Sequence, residues 1–286
     1  MESQILDLSI IIVSYNTKDL LKQCLDSIYR KVQDISFEIF VVDNNSQDGS
    51  PKMVKNLFPQ VKLIENKENK GFASANNLAI RKSKGRYVLL LNSDTIMLPG
   101  SLSKIIQFMD ETPRAGAVGC KLINPDGSLQ SFGRGLKRIR GKGVREVNWV
   151  EAACFMVRQR VINEIGLMDE NFFFYSEDMD WCRRIRLGGW KIFCISQAKV
   201  IHYGRGSTGK WDSKIVTEAY KSGYYYARKH FGIIIAIIYR MLALIEILSK
   251  LGLWSLAYFI RGRKEFADKI STYRNIVRIT CGLGKG

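Results

Sequence analysis

Arg86-Tyr87-Val88-Leu89-Leu90-Leu91-Asn92-Ser93-Asp94 is the stretch whose reading decides the fold. Its apolar run, bounded by turn formers, reads as a strand buried on both faces. An acidic residue then stands where the strand should leave the core. In open parallel sheets, ligands bind in the crevice beyond the carboxyl ends of the strands. Asp94 is placed to meet one. The bland alternative is a turn cap, since Asn, Ser and Asp favour loops.

On the N-terminal side, strand and helix patterns alternate. Leu8 to Val13 is a β run, and Thr17 to Arg30 carries helical apolar spacing at Leu20, Leu21, Cys24, Leu25 and Ile28. Phe37 to Val42 is a second β run, ending at Asp43. Ser50-Pro51 opens a helix, with Pro at a tolerated position. Val61 to Ile64 is a third strand and Phe72 to Ser83 a helix. This order predicts an α/β, Rossmann-like, mostly parallel sheet flanked by helices. Right-handed crossovers put Ser14, Asp43, Asn66 and Asp94 on one edge.

On the C-terminal side the pattern changes. Ala115–Ile123 and Val147–Val157 read as strands, and the segment 133–145 between them, with four glycines and six basic residues, as a mobile cationic loop. Glu177–Leu187 reads as a helix, Trp190–Ile195 and Lys199–Tyr203 as two short strands, and Trp211 to about His230 as a long helix. Phe231–Tyr239 and Leu251–Ile260 are uncharged and strongly apolar, separated by Arg240, Glu246 and Lys250. A spanning helix wants about 20 mainly apolar residues, so neither run suffices alone. An in-plane amphipathic helical hairpin fits better. The basic residues that follow, from Arg261 to Arg278, suit anionic headgroups. A helical appendage packed on the main domain, or on a second subunit in a homodimer, is the alternative. The expected organisation is a catalytic domain over 1–230 and a membrane-associating or oligomerisation segment over 231–286.

The net charge of +17 is uneven: residues 1–128 carry +2 and residues 129–286 carry +15. The second half therefore meets any anionic partner, whether lipid, phosphorylated substrate or nucleic acid. Six cysteines lack metal-ligand spacing, and several sit in apolar runs, as buried free thiols do. Together with an N-terminus lacking a signal-like stretch, they imply a reducing, cytoplasmic location.

Three further stretches carry chemistry. In Val41-Val42-Asp43-Asn44-Asn45-Ser46-Gln47-Asp48-Gly49-Ser50 a buried strand delivers Asp43 to the same edge as Asp94. Asp43 can accept from the imide N–H of a uracil- or thymine-type base, or from a ribose hydroxyl; as a helix cap it is ordinary. In Phe172-Phe173-Phe174-Tyr175-Ser176-Glu177-Asp178-Met179-Asp180 three acids fall at a helix start. The helix dipole alone favours acids there. Glu177 and Asp180 can cap, leaving Asp178 free for other work, and Asp180 can pair with Arg183 or Arg184. His202, one of two histidines, ends a strand before a glycine-rich turn. It can be structural, or a Mn²⁺ or Mg²⁺ partner.

Taken in order, these stretches resemble the family 2 glycosyltransferases of GT-A fold, closest to the bacterial rhamnosyltransferase-like subgroup. The resemblance runs from about Leu8 to Ser207. It rests on Ile12-Val13-Ser14-Tyr15-Asn16, on 42–50, on Asn69-Lys70-Gly71-Phe72-Ala73-Ser74-Ala75-Asn76-Asn77, on Leu91-Asn92-Ser93-Asp94, on 173–180 and on His202-Tyr203-Gly204. It implies that Ser14, Tyr15, Asn16, Asp43 and Asn44 hold the nucleoside of a dTDP- or UDP-sugar. Gly71, Asn76, Asn92 and Ser93 would line the donor pocket. Asp94 would bind Mg²⁺ or Mn²⁺ with His202 as second ligand. Asp178 would be the base and Glu177 would touch the acceptor, a glycan or polyprenyl-diphosphate-linked saccharide. The family's metal motif is often Asp-X-Asp; Asn92 replaces its first acid, which lowers the expected metal affinity.

Two other classes compete. A sugar-phosphate nucleotidyltransferase wants a glycine-rich loop after the first strand, where this chain has Ser14-Tyr15-Asn16-Thr17. A non-catalytic binder of anionic membrane or nucleic acid accounts for the charge but not for the acids at strand ends. The expectation is an inverting, metal-dependent hexosyltransferase of cell-surface polysaccharide synthesis, peripheral at the inner face of the membrane, with no nucleic-acid partner.

Overall fold

The computed structural model describes residues 6–130, 143–204 and 213–283. Most of the cationic loop, the turn after Gly204 and the start of the helix expected from Trp211 lie outside these residues.

The alternating pattern folds as expected. β1 (Leu8–Ser14), α1 (Lys18–Lys31), β2 (Phe37–Asp43), α2 (Ser50–Leu57), β3 (Lys62–Glu65), α3 (Phe72–Ile80) and β4 (Tyr87–Asn92) alternate strand and helix, with the strands parallel in the order β3-β2-β1-β4. β4 is buried on both sides. Tyr87, Leu89 and Leu91 join one core with Leu21, Leu25 and Ile28 of α1, whereas Val88 and Leu90 join the other with Ala75 and Ala79 of α3. That is why its sequence is a continuous apolar run and not an alternating one.

Beyond β4 the sheet becomes mixed. β5 (Thr95–Met97), α4 (Ser101–Glu111), β6 (Ala115–Ile123), β7 (Val144–Glu146), β8 (Cys154–Arg158), α5 (Gln159–Ile165), α6 (Glu177–Leu187) and β9 (Lys191–His202) follow. β8 pairs antiparallel with β4 and β6, and β9 runs parallel to β6. Two expectations change. The strand expected over Val147–Val157 is confined to Cys154–Arg158. Val150 instead packs where a side chain at Gly119 would sit, its Cβ 2.7 Å from that position, so 147–153 runs over the sheet face. The two strands expected at 190–203 are one. Its ladder with β6 shifts register between Cys120 and Lys121, skipping Ser196 to Ala198. Such a bulge lets a strand bend without ending. Five of the six cysteines are buried free thiols, as expected, and Cys281 is exposed.

The chain divides into two compact units, Met1–Asn171 with Glu177–Ser207, and Phe172–Ser176 with Thr208–Gly286. In the second, α7 (Ser213–Arg261) is interrupted at Gly232 (φ 80°), and α8 (Lys264–Thr280) packs back on it. Phe172–Ser176 belongs here: the Phe172 ring meets Tyr225 edge-on at 4.8 Å, and Ser222 donates to the Phe174 carbonyl at 2.9 Å. The two apolar runs of the sequence do not form a hairpin with each other. Beyond Gly232 they lie on one continuous helical stretch, and the hairpin is between that stretch and α8.

Candidate active site

Register brings the strand ends together. Ser14 pairs with Asp43, Asp43 with Glu65, and Val13 with Asn92. Antiparallel β8 contributes its opposite end, Cys154 beside Leu91, and β5 pairs Thr95 with His202. Residues from 14 to 202 therefore meet at one edge of the sheet.

The first two loops are stitched to each other. Asn16, in a left-handed conformation (φ 54°), donates its N–H to Ser46 Oγ at 2.9 Å and accepts from the Gln47 amide at 2.8 Å. Asp48 accepts from the Lys18 amide at 2.7 Å, so a neighbouring loop supplies the cap that Thr17 does not. Tyr15 is exposed. Asp43 is buried; one oxygen accepts from the Ser46 amide at 2.8 Å, and Oδ1 has no partner. An unmet buried acceptor costs free energy, which a donor on a ligand would recover. Asn76 Oδ1 is a second such acceptor. Asn44 is spent on structure: its amide donates to the Gly71 carbonyl at 3.1 Å and its oxygen accepts from Asn66 at 2.8 Å. Gly71 opens α3 at φ 81°, a conformation that favours glycine. Ser14 and Ser93 are both buried and bound to Thr17, each at 3.0 Å.

Asp94 and His202 converge. Asp94 Oδ1 lies 3.3 Å from His202 Nε2, and Asn92 Nδ2 lies 3.4 Å from the same nitrogen. Two ligands at about 2.1 Å from an octahedral cation sit about 3 Å apart, so this pair fits a shared divalent ion. Among the described residues no group of three or more His, Cys, Asp or Glu is arranged for a metal. A cation held here would need its remaining ligands from water or phosphate oxygens, as Mg²⁺ commonly takes them.

Tyr175 and Ser176 (φ 67° and 68°) turn the chain into α6 through left-handed backbone. The three acids divide, and of the two arginines offered to Asp180 by the sequence Arg184 is the one that pairs with it. Asp180 is fully buried and bound to Arg184 at 2.8 Å, whose guanidinium also donates to the Ile165 and Leu167 carbonyls. It is structural. Glu177 Oε2 is buried without a partner. Burial, then the charge of Asp178, hold Glu177 well above the usual carboxylate range. Asp178 accepts from the Ala152 amide at 3.2 Å. Burial pushes its carboxyl up to about 6, partly offset by Ala152 and by the Trp149 indole, which stops short of a formed hydrogen bond. A carboxylate in that range is suited to general base work near neutral pH.

The glycosyl transferase family 2 model matches residues 9–166. The chain belongs to that family. It is 26% identical over 263 residues to an N-acetylglucosaminyl-diphospho-decaprenol L-rhamnosyltransferase of Mycobacterium tuberculosis, covering 79% of this chain and 85% of that protein. It is also 26% identical over 214 residues to a low-salt glycan biosynthesis hexosyltransferase of Haloferax volcanii, covering 68% and 67%. Among solved structures, S. aureus TarS superposes with a TM-score of 0.59 at 18% identity, covering 97% of this chain and 92% of that one. A mannosyltransferase of Pyrobaculum calidifontis, in complex with GDP-Man and Mn²⁺, superposes with a TM-score of 0.57 at 14% identity, covering 98% and 88%. The fold of this family 2 glycosyltransferase is GT-A, with a C-terminal helical part. Sequence reasoning missed Thr17, Asp48, Trp149 and Gln130. The turn Asn124-Pro125-Asp126-Gly127-Ser128 was legible as a reversal, but not what Gln130 would then touch.

Proposed function

We propose that this glycosyltransferase moves a sugar, with inversion, from a dTDP- or UDP-sugar to a hydroxyl of a lipid-linked saccharide in polysaccharide synthesis. The observation that carries the reading is one sheet edge holding a buried open acceptor at Asp43, a convergent Asp94–His202 pair and a raised-pKa carboxylate at Asp178. Asp43 Oδ1 accepts an N–H of the base or a ribose hydroxyl. Asp94 and His202 would hold a divalent cation; a mannosyltransferase of the same fold, solved with GDP-Man and Mn²⁺, favours a divalent metal in such a site. Such a cation supplies Lewis-acid stabilisation to the charge gathering on the departing diphosphate. Asp178 takes the proton of the acceptor hydroxyl, a contribution of about 10²–10⁴-fold, and Glu177 contacts the acceptor. One base and a back-side attack invert the anomeric centre without the second, nucleophilic carboxylate of a retaining glycosidase. Rhamnose and a polyprenyl-diphosphate acceptor are favoured by the mycobacterial relative's name.

The second unit supports a peripheral seat on the inner face of the membrane. Arg240 stacks over Tyr224 at 5.1 Å, and Lys250 pairs with Glu246 and lies over Tyr273 at 5.6 Å. The charges that interrupt the sequence therefore sit against α8 and the first part of α7. Ile234, Ile238, Met241, Ile245, Leu248 and Phe259 remain exposed. By composition this helix is also long and apolar enough to cross a bilayer. The exposed apolar surface of this helix, with the basic residues that follow it, favours association with an anionic membrane.

The test is thermal unfolding against dTDP-, UDP- and GDP-sugars, each with Mn²⁺ or chelator. A bound donor at 100 times its Kd adds about 2.7 kcal/mol. Metal-dependent stabilisation by one nucleotide sugar is the expected result. No response to any of them sinks the donor-site reading.

A further inference from the structure

His202 Nδ1, on the side of the ring away from Asp94, lies 2.8 Å from Gln130 Oε1. We propose that Gln130 is a positioning residue that locks His202 in the Nδ1–H tautomer and so presents the Nε2 lone pair, beside Asp94, to a divalent cation. This rests on the metal-dependent reading of the site.

The orientation of the Gln130 amide carries the argument. Its other end lies 2.6 Å from the His202 backbone carbonyl and 2.9 Å from Asn124 Oδ1. A carbonyl can only accept, so that end is the NH₂ group. The end facing the ring is then oxygen, which also only accepts. His202 Nδ1 must donate, and a neutral imidazole with its proton on Nδ1 carries a bare lone pair on Nε2. That lone pair faces Asp94 Oδ1 at 3.3 Å, and the Asn92 amide approaches it at 3.4 Å. The Asn92 contact is long and readily exchanged for a metal bond.

Gln130 is held for this task from both directions. β6 ends at Ile123, directly beside Ile201 of β9. The chain then reverses through Asn124–Ser128, closed by bonds from Gly127 to Asn124 at 2.9 Å and from Asn124 to Ser128 at 2.8 Å. Gly127 (φ 80°) permits the turn. Leu129 bridges back to Ile123, and the Gln130 amide donates to the Leu122 carbonyl at 3.1 Å. An acceptor on the far nitrogen of a ligating histidine fixes ring and tautomer and changes metal affinity by about 10–100-fold.

The chain has only two histidines, so a long-range ¹H–¹⁵N spectrum of the chelator-treated, full-length protein resolves each imidazole, and His202→Asn assigns the signals. The expected wild-type His202 pattern is a protonated Nδ1 and a bare Nε2. Gln130→Leu should move His202 to the Nε2–H form and weaken binding of Mn²⁺ alone, followed by electron paramagnetic resonance, by about 10–100-fold. Gln130→Glu keeps an acceptor toward Nδ1 but loses both bonds donated by the NH₂ end, and should retain the Nδ1–H tautomer with more of the affinity than Gln130→Leu. A purely structural Gln130 would lose both with either substitution. A wild-type His202 protonated on Nε2, or a Gln130→Leu protein with unchanged tautomer and Mn²⁺ affinity, overturns the inference. If Gln130→Leu does not fold, the wild-type spectrum and Gln130→Glu still decide. Should Asp94→Ala and His202→Asn also leave Mn²⁺ binding unchanged, the metal reading itself fails. Should those two weaken it while Gln130→Leu does not, only the role of Gln130 fails.

Discussion

Asp178 works against the stability of the protein that carries it. Its carboxyl is raised from an ordinary 3.8 to about 6. Between those values the unfolded chain has lost its proton while the folded chain keeps it. Stability therefore falls as pH rises through that window and stays lower above it. Asp178→Asn removes this penalty. We expect it to raise the melting temperature, more at pH 8 than at pH 5, while lowering turnover about 10²–10⁴-fold with nucleotide affinity unchanged. Near-normal turnover would put the base elsewhere. In the wild type, kcat/KM should fall on the acid side of about pH 6 as Asp178 takes up its proton. Asp43→Ala should weaken nucleoside diphosphate binding at least about tenfold, since its open oxygen is removed together with the Ser46 turn bond. Equal affinity by calorimetry would clear Asp43 of that role. Asp43, Asp94 and Asp178 were legible as site candidates because acids at strand ends and helix starts are conspicuous. Ser93 was not legible as an internal bond, because its hydroxyl meets Thr17 only once β1 and β4 are paired.

At the scale of elements, close approach explains what periodicity could not. Gly85 enters β4 where a Cβ would lie 2.5 Å from the Ser9 amide nitrogen and 2.7 Å from Leu8 and Tyr87 backbone atoms. Backbone cannot yield as a side chain can. Gly85→Ala should destabilise the protein by about 1–3 kcal/mol, read as a lower urea midpoint with unchanged m-value. No change in midpoint would mean that the β1–β4 junction relaxes freely. β1, β2 and β4 were readable because each carries a near-continuous buried apolar run, and β3 because it lies between two helical patterns. β8 and β9 were misjudged for opposite reasons: Val150 left the ladder to fill the space over Gly119, and a bulge at Ser196 carried β9 through a polar stretch that looked like a break.

For the whole molecule, charge and hydropathy point to the same partner. The second half carries +15, and the exposed apolar side of α7 from Ile233 to Ile260 extends about 40 Å. The full chain should co-sediment with vesicles containing anionic lipid, less so with neutral vesicles or at high salt. Ile238→Asp with Ile245→Asp should abolish the association while leaving donor-induced stabilisation intact. If those substitutions instead convert a dimer to a monomer in sedimentation velocity, the apolar side belongs to a second copy of the chain.

By itself the sequence determined the alternation of strands and helices, the continuous apolar strands, the acids at their ends and the family. These are local properties: periodicity, turn chemistry and the spacing of charges need no partner to be read. Only the tertiary structure decided which oxygens are left open and which are spent. It set Asp43 Oδ1 and Asn76 Oδ1 open, chose Arg184 for Asp180, brought Gln130 to a histidine 72 residues away, and turned Arg240 and Lys250 over tyrosines, with Glu246 paired to Lys250, while the apolar residues of α7 stay exposed. A hydrogen bond or a burial exists only between groups that folding has already brought together, and their separation along the chain does not encode it.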